Sequence, residues 1–356
     1  MPVNRVILSL ILPCIGLSDR ASAQTGEAVG WGTNSYGQSD PPSGIFTQVA
    51  GGRYHSLGLR AGGTIACWGD NFYGQSNPPC GVYLQVAAGR FHSVALRNDG
   101  SVVCWGQNDY GQCNSPGGLF TQIACGSYHS LGLRVDGTIE CWGDNSSGEC
   151  NAPDGVFSQV AGGGGHSLGL REDGSIECWG ANTFGQTVPP NGTFVQIDGG
   201  WEISVALRDD GEIICWGRNI EGQCVPPAGP FLQVAAGGQH CVGLRENGTV
   251  VCWGRNDQGQ TDAPDGNFTQ VNAFGLHSLA IRGPEFGACC TGNQLQCVIT
   301  TEEKCDPVLG LTWLGAGSTC MPDSCSTPCQ SDATGDGIID YNDLISLLSN
   351  WGPCSG

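Results

Sequence analysis

A Trp-Gly pair recurs every 37 residues along most of the chain, with no insertion between copies. Repetition at a fixed period constrains the fold before any other feature does, because each repeat must build the same unit. An aromatic residue, a glutamine and an arginine recur in step with the tryptophan. The repeat reads F-x-Q-V-A-x-G-x-x-H-S-L-G-L-R-x-D-G-T-I-x-C-W-G-x-N-x-x-G-Q. The seven tryptophans are Trp31, Trp68, Trp105, Trp142, Trp179, Trp216 and Trp253.

Each repeat has the pattern of several short strands. The F-T-Q-V-A-G-G and H-S-L-G-L-R segments alternate apolar with polar or small residues, which is the period of a β-strand. R-x-D-G-T predicts a tight turn into a third strand, T-I-x-C-W-G, and N-x-x-G-Q predicts the return to a fourth. Four short antiparallel strands per repeat are typical of a propeller blade, so we expect an all-β fold.

The two ends of the repeat array are out of phase. Trp31 precedes the first H-S-L-x-L-R strand, and the last such strand, which begins at His277, has no Trp-Gly after it. We therefore predict that the N-terminal strand completes the last blade and closes a seven-bladed β-propeller over residues 24–285. A column that is always Gly or Ala, beginning at Gly58, indicates close packing, and we expect the tryptophan of an adjacent strand or blade to cover it.

The G-x-x-H-S-L-x-L-R and W-G-x-N-x-x-G-Q signatures resemble those of the regulator of chromosome condensation repeat family, over roughly residues 28–285. The repeat is shorter than the eukaryotic one. In that respect, and in its export signal, the chain is more similar to the secreted bacterial β-lactamase inhibitor protein built on a propeller. The resemblance implies a protein-binding platform, although one member promotes nucleotide exchange and another senses ultraviolet light. Fold alone does not choose among these functions.

Composition excludes some partners and indicates export. With 14 Lys and Arg against 33 Asp and Glu, the net charge is −19, which disfavours nucleic acid as a partner. Residues 1–23 are typical of a signal peptide, because Arg5 precedes an apolar stretch and Ala21-Ser22-Ala23 fits a cleavage site. The apolar stretch is too short for a membrane span. We expect a secreted or cell-surface protein without a membrane span.

The chain has 21 cysteines, which in an exported protein predicts disulfide bonds. Several cysteines recur nine residues apart around the Trp-Gly pair, where a strand returns beside itself. The seven cysteines from Cys289 to Cys329 predict a small disulfide-stapled module over residues 286–329. In the repeats, the predicted pairs are Cys104–Cys113, Cys141–Cys150, Cys215–Cys224 and Cys67–Cys80.

All six histidines occupy one column of the repeat, and Ile203 takes the seventh place. A catalytic histidine is needed once, so six evenly spaced copies favour a structural hydrogen bond in each blade over acid–base chemistry. In each His-Ser pair the serine points to the opposite face of the strand, so the adjacent pair is not a dyad. We therefore predict that the protein is not an enzyme. The histidines are His55, His92, His129, His166, His240 and His277.

The repeat varies most where aromatic residues and arginine accumulate. In an up-and-down blade the G-x-x-H turn and the W-G-x-N-x-x-G-Q loop lie on one face. Aromatic residues and arginine are enriched in binding hot spots and can also stack on sugars. The alternative is that the loop aromatics pack within their own repeat; Trp201, however, departs from its column. The predicted face consists of Tyr36, Arg53, Tyr54, Phe72, Tyr73, Arg90, Phe91, Tyr110, Tyr128, Phe184, Trp201 and Glu202.

The tail, residues 330–356, contains D-A-T-G-D-G-I-I-D-Y-N-D, which has the ligand spacing of a calcium loop with Gly337 at its sharp turn. It resembles one half of a type I dockerin, which implies calcium binding and a cohesin-like or cell-surface partner. It departs from that pattern by having Asp at the last ligand position and only one loop. The alternative is a solvated acidic tail. The predicted calcium ligands are Asp332, Thr334, Asp336, Ile338 (by its carbonyl), Asp340 and Asp343.

These features together predict a secreted, non-enzymatic protein that recognises a protein or polysaccharide through one propeller face. Two alternatives stay open. One is a carbohydrate-active hydrolase or lyase with a dockerin-like tail, which would need a pair of carboxylates at one mouth of the central pore. The other is an inhibitor of a secreted enzyme, as the resemblance to the lactamase inhibitor implies.

Overall fold

A computed structural model describes residues 25–284 with their side chains, and the backbone of three later strands between residues 286 and 316. The predicted signal peptide, the calcium loop and the side chains of the cysteine-rich module lie outside the described residues. The part of the chain that is described consists of strands and turns, without a helix. No helix long and apolar enough to cross a membrane occurs among those residues.

Each repeat forms a three-stranded antiparallel sheet, with H-S-L-G-L-R as its middle strand. The first strands are β2 (Ile45–Gly51), β5 (Tyr83–Ala88), β8 (Phe120–Cys125), β11 (Gln159–Gly162), β14 (Gln196–Gly199), β17 (Phe231–Ala236) and β20 (Phe268–Phe274). The middle strands are β3 (His55–Arg60), β6 (His92–Arg97), β9 (His129–Arg134), β12 (His166–Leu170), β15 (Ile203–Leu207), β18 (His240–Arg245) and β21 (His277–Arg282). The third strands are β4 (Ile65–Gly69), β7 (Val102–Gly106), β10 (Ile139–Gly143), β13 (Ile176–Gly180), β16 (Ile213–Gly217) and β19 (Val250–Gly254), and β1 (Gly26–Gly32) follows β21 in its sheet.

The N-terminal strand pairs with the last repeat, as its phase predicts. Strand β1 runs antiparallel to β21, with Trp31 opposite Ser278. Its first two residues also pair with β2, where Gly26 lies opposite Phe46. The resulting sheet has the order β20-β21-β1-β2-β3-β4, so the first and last repeats share one sheet.

The Gly or Ala column that begins at Gly58 requires small residues because two aromatic rings pack against it. A Cβ added at Gly58 would lie 2.5 Å from the ring of Phe46 and 3.2 Å from Trp68. The expectation that tryptophan covers this column is therefore right only in part, since the phenylalanine of the same repeat lies closer. Phe46 is fully buried, and its ring centroid lies 6.2 Å from that of Trp68. Burial of these rings against each sheet supplies much of the core.

The predicted fourth strand is absent from the described repeats, because N-x-x-G-Q forms a turn held by its own side chains. In the second turn, Asn71 Oδ1 accepts a hydrogen bond from the Ser76 N–H at 2.9 Å, and Gln75 Oε1 accepts one from the Tyr73 N–H at 2.8 Å. The Gln75 carbonyl accepts a further hydrogen bond from Trp105 Nε1 of the following sheet at 2.8 Å. These contacts satisfy groups that a strand would otherwise pair with a neighbour.

Two of the four predicted disulfides are present, Cys141–Cys150 and Cys215–Cys224. The other four cysteines are free thiols in this structure, so the pairs Cys104–Cys113 and Cys67–Cys80 are not formed. The Cys104 and Cys113 side chains nevertheless interact, and the interaction raises the pKa of Cys104 and lowers that of Cys113. The Cys67–Cys80 prediction lacked the nine-residue spacing of the bonded pairs. Cys80 lies exposed beyond the turn, whereas burial raises the pKa of Cys67 to about 12.

A second compact unit contains the described residues after 282, together with residues 246–249 and 266–268. Its described backbone includes β22 (Phe286–Thr291), β23 (Cys297–Thr301) and β24 (Leu311–Ala316). These strands form an antiparallel sheet with β22 in the middle.

Candidate binding face

The histidine column joins each repeat to the next. His55 Nε2 lies 2.9 Å from the Oγ of Ser93, in the following repeat, and does not contact its own neighbour Ser56 in this way. The Ser93 hydroxyl already donates to the Gln75 carbonyl at 2.9 Å. The Ser93 oxygen must therefore accept, so His55 carries its proton on Nε2 and donates. A histidine that donates to serine cannot act as the base that activates it.

Burial keeps these histidines neutral. It lowers the pKa of His55, and of its counterparts His129, His166 and His240, from 6.5 to about 3. It lowers the pKa of His92 and His277 to about 4. Desolvation is the main cause in each case, because a charged imidazolium loses its hydration inside the protein. The histidines therefore have the structural hydrogen-bonding role that the sequence predicts, although each bond joins two repeats rather than lying within one blade, and the column offers no accessible acid or base.

The repeat arginines also serve packing. The Arg60 guanidinium lies 4.9 Å from the ring centroid of Phe46, and its Nη1 donates to the Ser43 carbonyl at 3.2 Å. Arg134 repeats this arrangement over Phe120, at 5.0 Å. Both arginines cover a core aromatic ring and tie a turn to its strand.

The predicted face contains a continuous series of aromatic rings from neighbouring repeats. The Tyr36 and Tyr54 centroids are 5.3 Å apart, and Tyr54 lies 6.0 Å from Phe91. Phe91 lies 5.4 Å from Tyr73, whose ring meets Phe72 edge-on at 4.9 Å. We call these five residues the aromatic series. Ring contacts at these distances are favourable, and they hold the rings in fixed positions.

Arg90 connects the aromatic series to a further pair of rings. Its guanidinium lies 5.3 Å from the Phe91 centroid and 5.1 Å from that of Tyr128. Tyr128 in turn lies 5.1 Å from Tyr110. One arginine thus bridges the two groups of rings through cation–π contacts.

Several of these rings face solvent rather than the core of their own repeat. Phe72 is 82% exposed, Tyr36 is 55% exposed and Tyr110 is 51% exposed. Tyr73 and Phe184 are also exposed. Tyr54 and Phe91, which connect the exposed rings in the series, are half-buried. The aromatic series is therefore a patch that is exposed in part, as surfaces available for interaction are.

Trp201 has a different role from the exposed rings. A Cβ added at Gly238 would lie 2.8 Å from Trp201 Cδ2, so glycine is required there for the indole to approach. The Arg53 guanidinium lies 4.9 Å from the indole and 5.0 Å from the Tyr54 ring. Trp201 therefore contacts both Gly238 and an arginine from the first repeat, four repeats before its own.

A cavity of about 410 Å³ lies beside Trp201. Arg53, Arg90 and Phe184 line it, together with Glu202 and Arg218, which form an ion pair at 2.6 Å. Glu202 is the one carboxylate among its lining residues. The pair of carboxylates that a glycoside hydrolase would need is therefore not found at this cavity.

The structure thus brings together all twelve residues predicted for this face, and it adds others. Arg218 also lies 5.5 Å from the Phe184 ring, and Arg255 ion-pairs with Asp257 and hydrogen-bonds Gln239. The signal for the added arginines was present in the sequence, because both depart from a column otherwise filled by Thr, Asp, Gln or Ala. Among the residues with described side chains, no group of three or more His, Cys, Asp or Glu is arranged to hold a metal ion.

Six segments of the chain match the family model for the regulator of chromosome condensation (RCC1) repeat. They are residues 46–75, 84–112, 120–149, 157–186, 194–223 and 231–260. The chain belongs to the RCC1 repeat family. This family is mainly one of binding and regulatory propellers, which agrees with the repeated sheets described above. No curated protein sequence matches the chain.

Solved structures show the same propeller fold. Prp20p from Saccharomyces cerevisiae, at 19% identity, superposes with a TM-score of 0.65 over 79% of this chain and 93% of its own. Human WBSCR16, at 18% identity, superposes with a TM-score of 0.63 over 72% of this chain and 99% of its own. The ectodomain of the receptor kinase CR4 from Physcomitrella patens, at 27% identity, superposes with a TM-score of 0.56 over 65% of this chain and 74% of its own. The first two similarities establish the fold and nothing about a ligand.

Proposed function

We propose that this RCC1-repeat protein is an exported, non-enzymatic binding protein that recognises a protein partner through the aromatic series and its flanking arginines. The observation that carries the proposal is the run of rings from Tyr36 to Phe72, fixed by mutual contacts and exposed at its ends. Aromatic and arginine side chains held rigidly lose little entropy on binding, which is why they dominate hot spots.

The relatives support a protein partner rather than a polysaccharide. The structure of Prp20p was described together with its binding to Gsp1p and histones, and a further structure has yeast RCC1 bound to Kap60. The packing of Trp201 also disfavours sugar stacking, because the indole already contacts Arg53 and lies against Gly238. Inhibition of a secreted enzyme would be one form of such protein recognition.

The proposed protein is a closed seven-bladed ring that works outside the cell. The pairing of β1 with β21 supports closure, and the bonds Cys141–Cys150 and Cys215–Cys224 support an oxidising compartment. The calcium loop at residues 332–343, proposed on its ligand spacing, would attach or stabilise the protein at a cell surface or assembly.

The test is capture of partners from culture supernatant by the immobilised mature protein. In the double variant Phe72→Ala/Tyr73→Ala, we expect capture of the specific protein to fall at least about tenfold, because hot-spot aromatics contribute about 2 kcal/mol or more each. Capture that is unchanged would show that the face is not used. Retention of a polysaccharide instead of a protein would favour the glycan alternative.

A matched control lies at the other end of the strands. Leu119 is 56% exposed and immediately precedes β8, whereas the aromatic series lies at the opposite strand ends. Leu119→Ala removes a similar exposed apolar side chain, and we expect it to leave capture unchanged. Equal losses in both variants would indicate non-specific hydrophobic adsorption.

A further inference from the structure

The arginines outside the repeat column gather at one cavity. Residues 25–284 contain no lysine, and seven of their arginines belong to the repeat column that begins at Arg60. The remaining four are Arg53, Arg90, Arg218 and Arg255. The first three line the cavity beside Trp201, and Arg255 hydrogen-bonds Gln239, which also lines it. A chain with a net charge of −19 has thus concentrated these cations in one place.

Two of the four arginines have an acidic partner and two do not. Arg218 pairs with Glu202, and Arg255 pairs with Asp257. The guanidinium groups of Arg53 and Arg90, in contrast, donate no hydrogen bond to any residue in the described part of the chain. The Nε atoms of Arg53, Arg90 and Arg218 are all buried without a partner, so the difference lies in the missing carboxylate. A guanidinium without an anionic acceptor lacks the charge-assisted hydrogen bonds that arginine is suited to make, which favours an acceptor supplied by a ligand.

The surrounding rings restrict what that acceptor can be. The Arg53 guanidinium lies within 5.0 Å of the Tyr54 and Trp201 ring centroids, and that of Arg90 lies within 5.3 Å of the Phe91 and Tyr128 centroids. A ring that contacts a guanidinium through its π face accepts none of its N–H groups, so the N–H edge keeps its hydrogen-bonding capacity. That edge is a planar fork of donors, which matches the two oxygens of a carboxylate.

We propose that Arg53 and Arg90 form a binding site for a carboxylate group in this cavity. The proposal rests on the proposed binding function and deepens it by naming the chemistry that the face recognises. The carboxylate belongs either to a free dicarboxylate or to an acidic side chain of a partner polypeptide. Glu202 opposes the ligand, because it adds a negative charge to the cavity and occupies Arg218.

The test is a binding titration of the mature full chain at low salt and neutral pH. One arm uses fluorescein-labelled hexaglutamate, and the other uses glutarate as a competitor. We expect Arg53→Gln and Arg90→Gln each to weaken hexaglutamate binding at least about fivefold, as loss of a charge-assisted hydrogen bond does. Glu202→Gln is expected to strengthen binding. Arg53→Lys, which keeps the charge and loses the fork, should bind more weakly than the wild type.

The matched control is Arg97→Gln. Arg97 is exposed at the far end of β6, so it changes net charge equally without touching the cavity. We expect it to bind hexaglutamate like the wild type, and thermal unfolding should show that all variants are folded. Equal weakening in Arg97→Gln and Arg53→Gln, or no binding of either probe by the wild type, would overturn the proposal.

The two arms identify the source of the carboxylate. Full competition by millimolar glutarate would indicate a small free ligand, whereas hexaglutamate binding that glutarate does not displace would indicate an acidic partner segment. The proposed function is tested separately by the supernatant capture. Capture that depends on Phe72, together with hexaglutamate binding that does not depend on Arg53 and Arg90, would retain protein recognition by the aromatic series and overturn the carboxylate site. Hexaglutamate binding that depends on Arg53 and Arg90, together with capture that does not depend on Phe72, would retain the carboxylate site and overturn protein recognition by the aromatic series.

Discussion

His277 Nε2 lies 2.9 Å from Ser56 Oγ, so the last histidine of the column meets the serine of the first repeat. The same contact joins His55 to Ser93 and recurs along the series. One link is missing, where Ile203 and Cys241 replace the histidine and the serine together. Both partners have changed, so neither a lone buried imidazole nor a lone hydroxyl is left at that junction.

Restoring that link is the first prediction. Ile203→His alone should destabilise the protein by about 2–4 kcal/mol, because a buried imidazole would face Cys241 instead of a hydroxyl. The double variant Ile203→His/Cys241→Ser should recover most of that loss. Gly200 provides room, since the corresponding Gly89 lies where a Cβ would be 2.1 Å from His92 Cε1. Urea unfolding of the two single variants and the double variant measures the coupling free energy between positions 203 and 241. Additive changes in the free energy of unfolding would show that no hydrogen bond had formed.

Acid should destabilise the folded protein steeply. The folded pKa of each histidine lies near 3 or 4, below the unfolded value of 6.5. The folded state holds these histidines neutral, whereas the unfolded chain protonates them below pH 6.5. The free energy of unfolding is therefore highest above pH 6.5 and decreases as the pH falls toward 4. Each histidine contributes a slope approaching about 1.4 kcal/mol per pH unit in that range. Urea unfolding at pH 7, 6 and 5 checks this, and His166→Gln should reduce the slope. Equal stability at pH 7 and 5 would contradict it.

How far the sequence led can be judged from particular residues. The period of Trp31, the strand alternation and the phase offset at His277 were enough for the all-β propeller class and the β1–β21 pairing. The turn at Asn71 was misread as the start of a strand, because side-chain hydrogen bonds are not visible in apolar periodicity. Trp201 stood out as a departure, yet its contact with Arg53 joins residues 148 positions apart, and only the fold brings them together.

Asp198 should make stability fall as the pH rises. Its carboxylate accepts hydrogen bonds from the N–H groups of Ala236, at 2.8 Å, and Gly199, at 2.9 Å, but burial raises its pKa from 3.8 to about 7. The contribution of the protonated Asp198 to the free energy of unfolding is therefore fully present below pH 3.8 and is lost as the pH rises through about 7. The asparagine amide can accept only one of these two N–H groups, but it does not ionise, so the stability of Asp198→Asn relative to the wild type should be about 2–4 kcal/mol more favourable at pH 8 than at pH 4.

The chain contains its own control for that substitution. Asn272 occupies the same column, and its Oδ1 accepts the Gly51 N–H at 2.7 Å. Asn272→Asp should introduce a buried carboxylate and destabilise the protein at pH 8 more than at pH 4. Thermal unfolding at both values tests the pair of variants. If the stability difference between Asp198→Asn and the wild type were the same at pH 8 and pH 4, ionisation of the Asp198 carboxylate would not destabilise the fold.

The last prediction concerns the Cys104 and Cys113 thiols. These residues have the same nine-residue spacing as the two bonded pairs. The interaction between the two side chains and burial raise the pKa of Cys104, and the same interaction lowers that of Cys113. Because Cys113 is the better thiolate, it should attack readily during oxidation. We expect a third disulfide in protein recovered from an oxidising compartment, worth about 2–3 kcal/mol.

Peptide mapping after blocking of free thiols measures this bond directly. The Cys104–Cys113 pair should resist alkylation unless a reductant is added, and Cys104→Ser/Cys113→Ser should unfold at lower urea. Cys67 and Cys80 serve as the comparison, since they lack the spacing and should be alkylated without reductant once the protein is unfolded. Alkylation of Cys104 under the same conditions would show that nine-residue spacing alone does not determine which thiols pair, and that the bonded pairs depend on features specific to their own turns.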